Sequence, residues 1–408
     1  MSSLRPTFLD DPTLQILFDV LDHKRLGHLR IVGGAVRNHI LGMPDGDIDL
    51  ACSLPPDDVI RVCKAAGLKV IPTGYEHGTV TVVIKGVPYE VTSLREDIET
   101  DGRHAIVRYG QSWEADARRR DFTMNALYMD CDGQIFDPLD TGLTDAKDGL
   151  VRFVGNPTQR IKEDCLRIMR FYRFNARYAK TSFDEAGAKA CGAHVDLLQN
   201  LSKERVTGEF MKMCIESLKP GGETIVRVDK LVGYRVEQFV KVIKEMINHR
   251  VFEVLGISRP NVDALQNVAE KQIINDVAEP LFLFYFLCGG HLETLFSALV
   301  LSNKHKELLR QFDAALKESD MSHRELLYRF GRTVAVQTLL VKGEDVKITL
   351  QEDIPVFPIK GKDLLDHGFE EGPDLGRILK ESETWWIQEN FMPDHDACII
   401  YSKQKAGV

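Results

Sequence analysis

Residues 29–51, LRIVGGAVRNHILGMPDGDIDLA, decide the fold of this chain. The segment opens with a short apolar strand, Leu29–Val32, which is followed by Gly33, Gly34 and a helix predicted for Ala35–Leu41. A glycine pair that opens a helix presents bare backbone N–H groups at the positive end of the helix dipole, where phosphate groups bind. The first half of the segment therefore predicts a phosphate cradle.

The second half of the segment supplies two carboxylates. After a turn at residues 43–46, a second strand is predicted to carry Asp47 and Asp49 on either side of Ile48. Side chains alternate faces along a strand, so the two aspartates would lie side by side, where they repel each other unless a cation neutralises them. Asp47 and Asp49 are therefore candidate catalytic residues and metal ligands. A glycine pair, a helix and two carboxylates within 17 residues indicate nucleotidyl transfer.

A third acidic residue completes the predicted catalytic set. Two-metal nucleotidyl transfer needs carboxylates that hold two divalent ions about 4 Å apart. Glu90 lies in the strand PYEVTSL (88–94), which is otherwise mostly apolar, and is the candidate. The alternative is that Glu90 is an ordinary charge on an edge strand.

Composition limits the class of protein. The chain has 408 residues, long enough for roughly two to four domains. Its net charge of −9 excludes a uniformly basic coat but leaves room for a local basic groove. Eight scattered cysteines without a CxxC pair suit a reducing compartment, and the longest apolar run (280–288) is too short to span a bilayer. We therefore expect a cytoplasmic protein with no membrane association.

The order of predicted elements divides the chain. Alternating strands and helices over about the first 140 residues indicate a mixed α/β domain, and from Asp148 onward the patterns are helical. The charged segment REDIETDGRHAIVR (95–108) is either a mobile loop beside the site or the solvated tip of a hairpin. Arg118–Arg120 precede a strand predicted to begin at Phe122, so we expect at least one of these arginines to be held near the sheet edge.

A basic helix is predicted for residues 159–178. Residues 152–180 contain eight Lys or Arg against two acids, in a chain that is acidic overall. Aromatic residues interleave with the arginines, a pattern typical of surfaces that bind nucleic acid or polyphosphate. The alternative is a solvated helix face balanced by acids elsewhere. The arginines that share this predicted face are Arg160, Arg167, Arg170, Arg173 and Arg177.

Three linked motifs resemble those of a known family. GGAVRN (33–38) with GDIDLA (46–51), RRDFTMNAL (119–127) and QRIKEDCLRIMRFYRF (159–174) are similar to the motifs of class II tRNA nucleotidyltransferases, the CCA-adding enzymes of bacteria and mitochondria. A weaker likeness extends over nearly the whole chain. The resemblance implies an α/β nucleotidyltransferase head of the DNA polymerase beta-like type followed by all-α domains. The implied boundaries are 1–148 for the head, 149–215 for the neck, 216–350 for the body and 351–408 for the tail.

The resemblance also implies roles in the head. Asp47 and Asp49 would bind Mg²⁺ ions that activate the 3′-hydroxyl of tRNA and neutralise the triphosphate of CTP or ATP. Gly33, Gly34 and Arg37 would hold the nucleotide's phosphates. The tail, with its glycine-rich stretch at 359–379, would grip the outer part of the tRNA.

Further roles are implied for the predicted basic helix. Asp164 and Arg167, three residues apart on one helix face, would act as an amino-acid template that pairs with the base of CTP or ATP. A carboxylate beside a guanidinium offers acceptors and fixed donors, which suits cytosine and adenine and leaves polar groups unpaired with uracil or guanine. Arg120, Arg170 and Arg173 would contact the nucleotide or the primer.

One departure and several alternatives remain. The family usually has Asp where this chain has Asn38, which keeps a hydrogen-bonding side chain but loses the charge. Addition of A alone and bacterial poly(A) polymerase activity are the nearest alternatives. PTGYEHGTVTVV (72–83) looks like the CCA type and unlike the polymerase, and the segment 95–108 favours full CCA or A addition over addition of CC alone. A catalytically silent RNA-binding protein and a nucleotidyltransferase acting on a small molecule or a protein are less favoured. No HD-type phosphohydrolase motif is present in the helical half.

Overall fold

The structure, a computed structural model, describes residues 5–407 apart from 45, 102, 103, 111, 181, 219–227, 258, 259, 276, 278 and 319. Its first part is built around a mixed sheet. The described strands are β1 (Leu29–Val32), β2 (Asp49–Cys52), β3 (Lys69–Ile71), β4 (Thr79–Ile84), β5 (Val87–Ser93), β6 (Arg95–Asp101), β7 (His104–Tyr109), β8 (Tyr128–Met129) and β9 (Ile135–Phe136).

Seven of these strands form one sheet in the order β3-β4-β5-β2-β1-β8-β9. The strands pair antiparallel except for β2 and β5, which run parallel with Asp49 opposite Glu90. β6 and β7 pair with each other as an antiparallel hairpin. Of the two interpretations of residues 95–108, the structure therefore has the hairpin.

Helices flank this sheet within the first 148 residues. Asp11 caps the first helix by accepting a hydrogen bond from the backbone N–H of Thr13, and Pro12 occupies the first helical position, where its missing N–H costs nothing. The helices are α1 (Pro12–Leu21), α2 (Gly34–Leu41), α3 (Pro56–Ala65), α4 (Trp113–Arg118) and α5 (Gly142–Asp148).

The remaining described elements are helical, as predicted. They are α6 (Pro157–Glu163), α7 (Leu166–Tyr178), α8 (Glu185–Ala193), α9 (Lys203–Leu218), α10 (Val228–Asn248), α11 (Val251–Val254), α12 (Val262–Ile274), α13 (Pro280–Leu287), α14 (Leu292–Ala298), α15 (Asn303–Lys317), α16 (His323–Lys342), α17 (Lys347–Gln351), α18 (Gly361–Asp366), α19 (Pro373–Gln388) and α20 (His395–Ala406).

Three hydrophobic clusters are formed by the described residues, and one of them, with Val32, Ala51 and Tyr128, lies within the sheet domain. The largest runs from Phe8 to Val346 and joins the sheet to the helices through α16. A third cluster, which includes Ile359, Trp386 and Ile399, holds α18, α19 and α20 together. Tyr328 of α16 also packs against this cluster, and all the predicted domain boundaries remain predictions.

Three predicted elements differ from the observed ones. The strand carrying the two aspartates begins only at Asp49, so Asp47 lies in the irregular segment before it. The strand expected from Phe122 begins at Tyr128, because residues 123–125 form a 3₁₀ turn instead. The single helix predicted for 159–178 is two helices, α6 and α7, which are separated at Asp164 and Cys165.

The described helices were compared with the length and hydropathy of a membrane span. No single one of them is both long and apolar enough. One pair, α13 with α14, passes only when taken together, and it is bent by 111°.

Candidate active site

Three carboxylates meet at the start of β2. Asp49 and Glu90 are directly opposite in the parallel β2–β5 pair, so their side chains point to the same face of the sheet. The pKa of Asp49 is raised, first by burial and then by the negative charges of Glu90 and Asp47, while Arg120 lowers it. Asp49 and Glu90 are thus neighbours, and Asp47, which precedes the strand, is close enough for its charge to act on Asp49; the catalytic set itself remains a prediction.

This cluster fits a metal whose remaining ligands come from a substrate. Within the part of the chain that the structure describes, no three His, Cys, Asp or Glu side chains are arranged to hold an ion by themselves. Mg²⁺ is usually bound by one or two carboxylates together with waters and substrate phosphates, so a complete protein cage is not required. The repulsion that raises the pKa of Asp49 is the kind that a divalent cation relieves.

The glycine pair forms the predicted turn into a helix. Gly33 has φ of 71° and ψ of −114°, a backbone conformation that side-chain-bearing residues rarely adopt, and it caps α2. Its N–H donates to the carbonyl of Leu127, 3.2 Å away, which ties the turn to the sheet. The first backbone N–H groups of α2 have no partners within the helix and are available to an anion.

Arg120 lies next to this turn. A Cβ atom on Gly33 would be 3.8 Å from the Nη1 atom of Arg120. The guanidinium is fixed by Asp116, 2.9 Å away, and its Nε donates to the hydroxyl of Tyr128 at 3.2 Å. Arg120 is therefore the positive charge set between the carboxylates and the glycine turn. The expectation that an arginine of 118–120 is held in place is confirmed.

Sequence analysis missed Asp116, the residue that anchors these arginines. Its side chain is 1% exposed and pairs with Arg119 at 2.5 Å as well as with Arg120. Burial alone would raise the pKa of Asp116, but the two arginines and the hydroxyl of Tyr128 lower it. The signal was available, because Asp116 precedes Arg119 and Arg120 by the three and four residues that bring side chains together on a helix.

Arg37 lies beside the glycine turn, since a Cβ atom on Gly34 would be 3.8 Å from its Nη2 atom, but its guanidinium is bound to protein side chains and its predicted phosphate contact remains a prediction. It is only 6% exposed, and its guanidinium donates to Asn125 at 2.6 Å and to the hydroxyl of Tyr178 at 2.7 Å. It also lies over the ring of Tyr178, 3.9 Å from the ring centroid. In this structure Arg37 joins α2 to α7, because its hydrogen-bonding capacity is taken up by buried partners.

Asn38 holds the segment that precedes the aspartates. Its Oδ1 accepts from the Nη2 of Arg37 at 2.9 Å, and its Nδ2 donates to the carbonyl of Pro44 at 2.9 Å. An aspartate could accept from Arg37 but could not donate to the carbonyl of Pro44. The departure from the family pattern therefore has an orienting role at this position.

The predicted template residues are not on one helix. Asp164 lies in extended backbone at the end of α6, whereas Arg167 lies in the first turn of α7. Arg167 donates to Glu163 at 2.9 Å and to the carbonyl of Arg160 at 2.8 Å, and Asp164 pairs with Arg205 at 3.3 Å. The prediction that the pair shares a helix face is wrong, since α6 ends at Glu163 and α7 begins at Leu166. The two residues nevertheless flank the same α6–α7 junction.

The basic face is neutralised by acids from other elements. Arg170 binds Asp121 through its Nε at 2.8 Å and its Nη2 at 2.5 Å. Arg173 is 8% exposed and pairs with Glu209 at 2.8 Å and with Glu216 at 2.7 Å. For Arg170 and Arg173 the alternative of a helix face balanced by distant acids fits these ion pairs, and the contact of Arg173 with the nucleotide or the primer remains a prediction.

A mixed sheet with a glycine turn, paired carboxylates and a neighbouring arginine defines a nucleotidyltransferase head. Residues 29–152 match the family described as the Poly A polymerase head domain. The chain is 33% identical to a CCA-adding enzyme of Geobacillus sp., with 88% of this chain and 85% of that protein covered. It is 29% identical to the mouse mitochondrial CCA tRNA nucleotidyltransferase 1, with 97% and 93% covered.

Solved structures agree with these sequence relatives. The crystal structure of the Bacillus stearothermophilus CCA-adding enzyme in complex with CTP is similar with a TM-score of 0.69 and 25% identity, and 93% of this chain and 94% of that one are covered. The Thermotoga maritima CCA-adding enzyme complexed with tRNA shares the fold with a TM-score of 0.64, over 99% of this chain and 97% of that one, at 16% identity. The chain belongs to the CCA-adding enzymes, the class II tRNA nucleotidyltransferases.

Proposed function

We propose that this chain adds C, C and A in turn to the 3′ end of tRNA, using CTP and ATP and no nucleic-acid template. In each step the terminal 3′-oxygen attacks the α-phosphorus of the nucleotide, a new phosphodiester bond forms, and pyrophosphate leaves. One observation carries the proposal: Asp47, Asp49 and Glu90 converge beside the Gly33 turn in a chain that belongs to this family.

The reaction depends on divalent metal, as in the nucleotidyltransferase family as a whole, and we propose Mg²⁺. Asp47 and Asp49 would hold it, with Glu90 as a neighbouring carboxylate. Bound there, the metal would supply Lewis-acid stabilisation of the charge on the triphosphate. The N–H groups of Gly34 and the following residues would hold phosphate oxygens, and Arg120 would add a fixed positive charge beside them.

Base selection is proposed for the α6–α7 junction. Asp164 offers acceptors to the amino groups of cytosine and adenine, and Arg167 offers donors to ring nitrogens and to the carbonyl of cytosine. Because Arg167 is bound to Glu163 here, reading a base with both residues requires Arg167 to exchange that partner. Arg170 lies within the same region and would contact the nucleotide or the primer.

The acceptor proposed for the reaction is tRNA. The helices α18 and α19, with the glycines between them, would contact its outer region while the neck holds the 3′ end. All eight cysteines are free thiols, which suits a reducing compartment, and we propose the cytoplasm. The mouse relative is named as mitochondrial.

The test is a product analysis with defined acceptors. Purified protein, Mg²⁺ and each nucleoside triphosphate are offered to tRNA lacking its end, tRNA ending in CC, and an unrelated RNA. The proposal expects CCA on the first, A on the second and no extension of the third. A single A on the second acceptor with no reaction on the first would identify an A-adding enzyme, and long poly(A) on the unrelated RNA would identify a poly(A) polymerase.

The assignment of Asp49 as a metal ligand is tested by a separate variant. Asp49→Ala should lower incorporation by about a thousandfold or more, because a metal ligand supplies several kcal/mol of transition-state stabilisation. Binding of tRNA should stay near normal. The control is Asp58→Ala, which removes an exposed carboxylate that pairs with Arg61 on α3. Extension by Asp49→Ala at the rate of the control would overturn the assignment.

A further inference from the structure

Asp164 is held by a guanidinium that sequence analysis did not identify. The Nη2 atom of Arg205 donates to both carboxylate oxygens of Asp164, at 3.3 and 3.4 Å. Oδ1 of Asp164 also accepts from the backbone N–H of Leu166 at 3.1 Å. Arg205, and not Arg167, is thus the arginine that contacts this carboxylate in the structure.

The helix that carries Arg205 is fixed in place. Arg205 lies in the first turn of α9, and Glu209, one turn further along, pairs with the buried Arg173 of α7. This internal ion pair sets the position of α9 against α7. The position of Arg205 relative to the α6–α7 junction is therefore set by the packing of α9 against α7.

The contact itself is open to solvent. The side chains of Arg205 and Asp164 are 39% and 37% exposed, and solvent-exposed ion pairs contribute little to stability. A change at Arg205 should therefore leave the fold intact. The exposure also means that the edge of the Asp164 carboxylate that Arg205 does not cover can be approached by a ligand.

We propose that Arg205 is a specificity-determining positioning residue for the base of the incoming nucleotide. This inference rests on the proposed function. Held by Arg205 and by the N–H of Leu166, the carboxylate of Asp164 presents a fixed acceptor edge, which pairs with the amino group of cytosine or adenine. Uracil and guanine place a carbonyl oxygen there, so acceptor faces acceptor and the base is rejected.

The experiment compares nucleotides in the full-length protein. The ratio of kcat/KM for CTP to that for UTP is measured on tRNA lacking its end, for the wild type, Arg205→Gln and the control Lys203→Gln. Lys203 is an exposed cation two residues away on the same helix, and it contacts the carbonyl of Ser297 instead of Asp164. Arg205→Gln should lower the ratio by about tenfold, mainly through KM, and the control should keep it.

A double-variant cycle separates positioning from a general loss of structure. If Arg205 acts through Asp164, then Arg205→Gln should have no further effect on selectivity in an Asp164→Ala background. An unchanged CTP-to-UTP ratio in Arg205→Gln, or additive losses in the double variant, would overturn the inference. The unfolding midpoint of each variant is measured alongside.

Binding without tRNA distinguishes this inference from the proposed function. The dissociation constants of CTP and UTP are measured for the wild type and Arg205→Gln with Mg²⁺ alone. If the wild type prefers CTP and Arg205→Gln does not, the inference stands even if tRNA is not extended and the proposed function falls. If tRNA is extended but the preference is the same in both proteins, the inference alone falls.

Discussion

Asn38 shows how one amide can hold the segment that precedes the candidate carboxylates. Its side chain accepts from the buried Arg37 and donates to the carbonyl of Pro44, so it connects α2 to the segment that precedes Asp47. The segment that precedes Asp47, the first metal-binding candidate, is therefore held by a side chain of α2. A carboxylate at this position would serve only the first of these two contacts.

The contribution of Asn38 to the free energy of unfolding can be predicted. Asn38→Leu should lower the free energy of unfolding by about 1–3 kcal/mol, because Arg37 loses a partner in a buried setting. Asn38→Asp should stay within about 1 kcal/mol of the wild type, since a charge-assisted bond to Arg37 offsets the lost donor. Urea unfolding of both variants measures this. Equal destabilisation by both changes would show that the donor to Pro44 dominates.

At the residue scale, the chemistry of the site was predictable and its arginine partners were not. The glycine turn and the aspartates follow from local spacing, and so does the alignment of Asp49 with Glu90 once the strands are recognised. The partners of Arg170, Arg173 and Asp164 come from residues 36 to 49 positions away, which no local pattern reveals. Sequence spacing alone therefore makes a neutralised arginine look like a free one.

At the scale of elements, a chain of hydrogen bonds joins the head to α7. Tyr178 of α7 accepts from Arg37, Arg37 donates to Asn125, Asn125 donates to Asp121, and Asp121 accepts from Arg170 of α7. This series of hydrogen bonds starts and ends on α7. Because its members sit between the sheet and the neck, it fixes the glycine turn relative to the α6–α7 junction.

Asp121 makes this series of hydrogen bonds sensitive to acid. Burial alone would raise its pKa, but Arg170, Asn125 and the backbone N–H of Phe122 lower it from 3.8 to about 2. A pKa lowered on folding contributes stability that is fully present above about pH 4 and is lost as the pH falls through about 2. The contribution is about 2 kcal/mol at neutral pH.

Asp121→Asn tests this pH dependence. The variant should be about 2 kcal/mol less stable than the wild type at pH 7, and the difference should shrink as the pH falls from 4 toward 2. Urea unfolding at several pH values measures it, with the exposed Asp58→Asn as the control. A difference that does not change with pH would mean that Asp121 is not the titrating group.

Arg173 belongs to the same scale because it fastens α7 to α9. Arg173→Met should destabilise the protein by about 3 kcal/mol, since it removes the nearest partner of the buried Glu209 and leaves only Arg170 and Lys212, each 3.9 Å away. Replacing Glu209 by Met as well should recover part of this loss. The KM for CTP should remain within about twofold of the wild type. A stable Arg173→Met variant with weak nucleotide binding would instead support the predicted nucleotide contact.

The break between α6 and α7 explains one failure of prediction. Apolar spacing continues through residues 159–178 without interruption, so periodicity alone predicts one helix. Asp164 has φ of −151° and ψ of 102°, and its side chain accepts from the N–H of Leu166 at the start of the next helix. A short polar side chain that bonds to nearby backbone can end a helix where the hydrophobic pattern does not.

At the scale of the whole molecule, α16 connects the largest hydrophobic cluster with the one that holds α18, α19 and α20. Gly331, with φ of 75° and ψ of 169°, interrupts the helix. Before it, Tyr328 packs on Trp386 of the tail with ring centroids 5.3 Å apart, and after it, Val334 is buried in the largest cluster. Leu326 and Leu327, also before the glycine, are buried in the largest cluster as well, so the kink orients the segment of α16 that carries Tyr328.

Gly331→Ala should lower the free energy of unfolding by about 1–3 kcal/mol and weaken tRNA binding, because that backbone conformation is nearly exclusive to glycine. The matched control for the free energy of unfolding is Gly376→Ala on α19. A Cβ atom meets nothing within 4 Å at either glycine, but only Gly331 has positive φ. The control should be neutral or stabilising by up to about 1 kcal/mol. Urea unfolding and tRNA titration measure both effects, and a Gly331→Ala variant as stable as the control would contradict the argument.

The parallel pairing of β2 with β5 has a consequence for folding during synthesis. The two strands meet only after the intervening helix and hairpin have folded back, and closing so long a loop costs entropy before any contact repays it. A nascent chain that has not yet emerged beyond Ser93 cannot place Glu90 beside Asp49. Because Ser93 lies in the first quarter of the 408 residues, the candidate carboxylates can come together before most of the helical part has been synthesised.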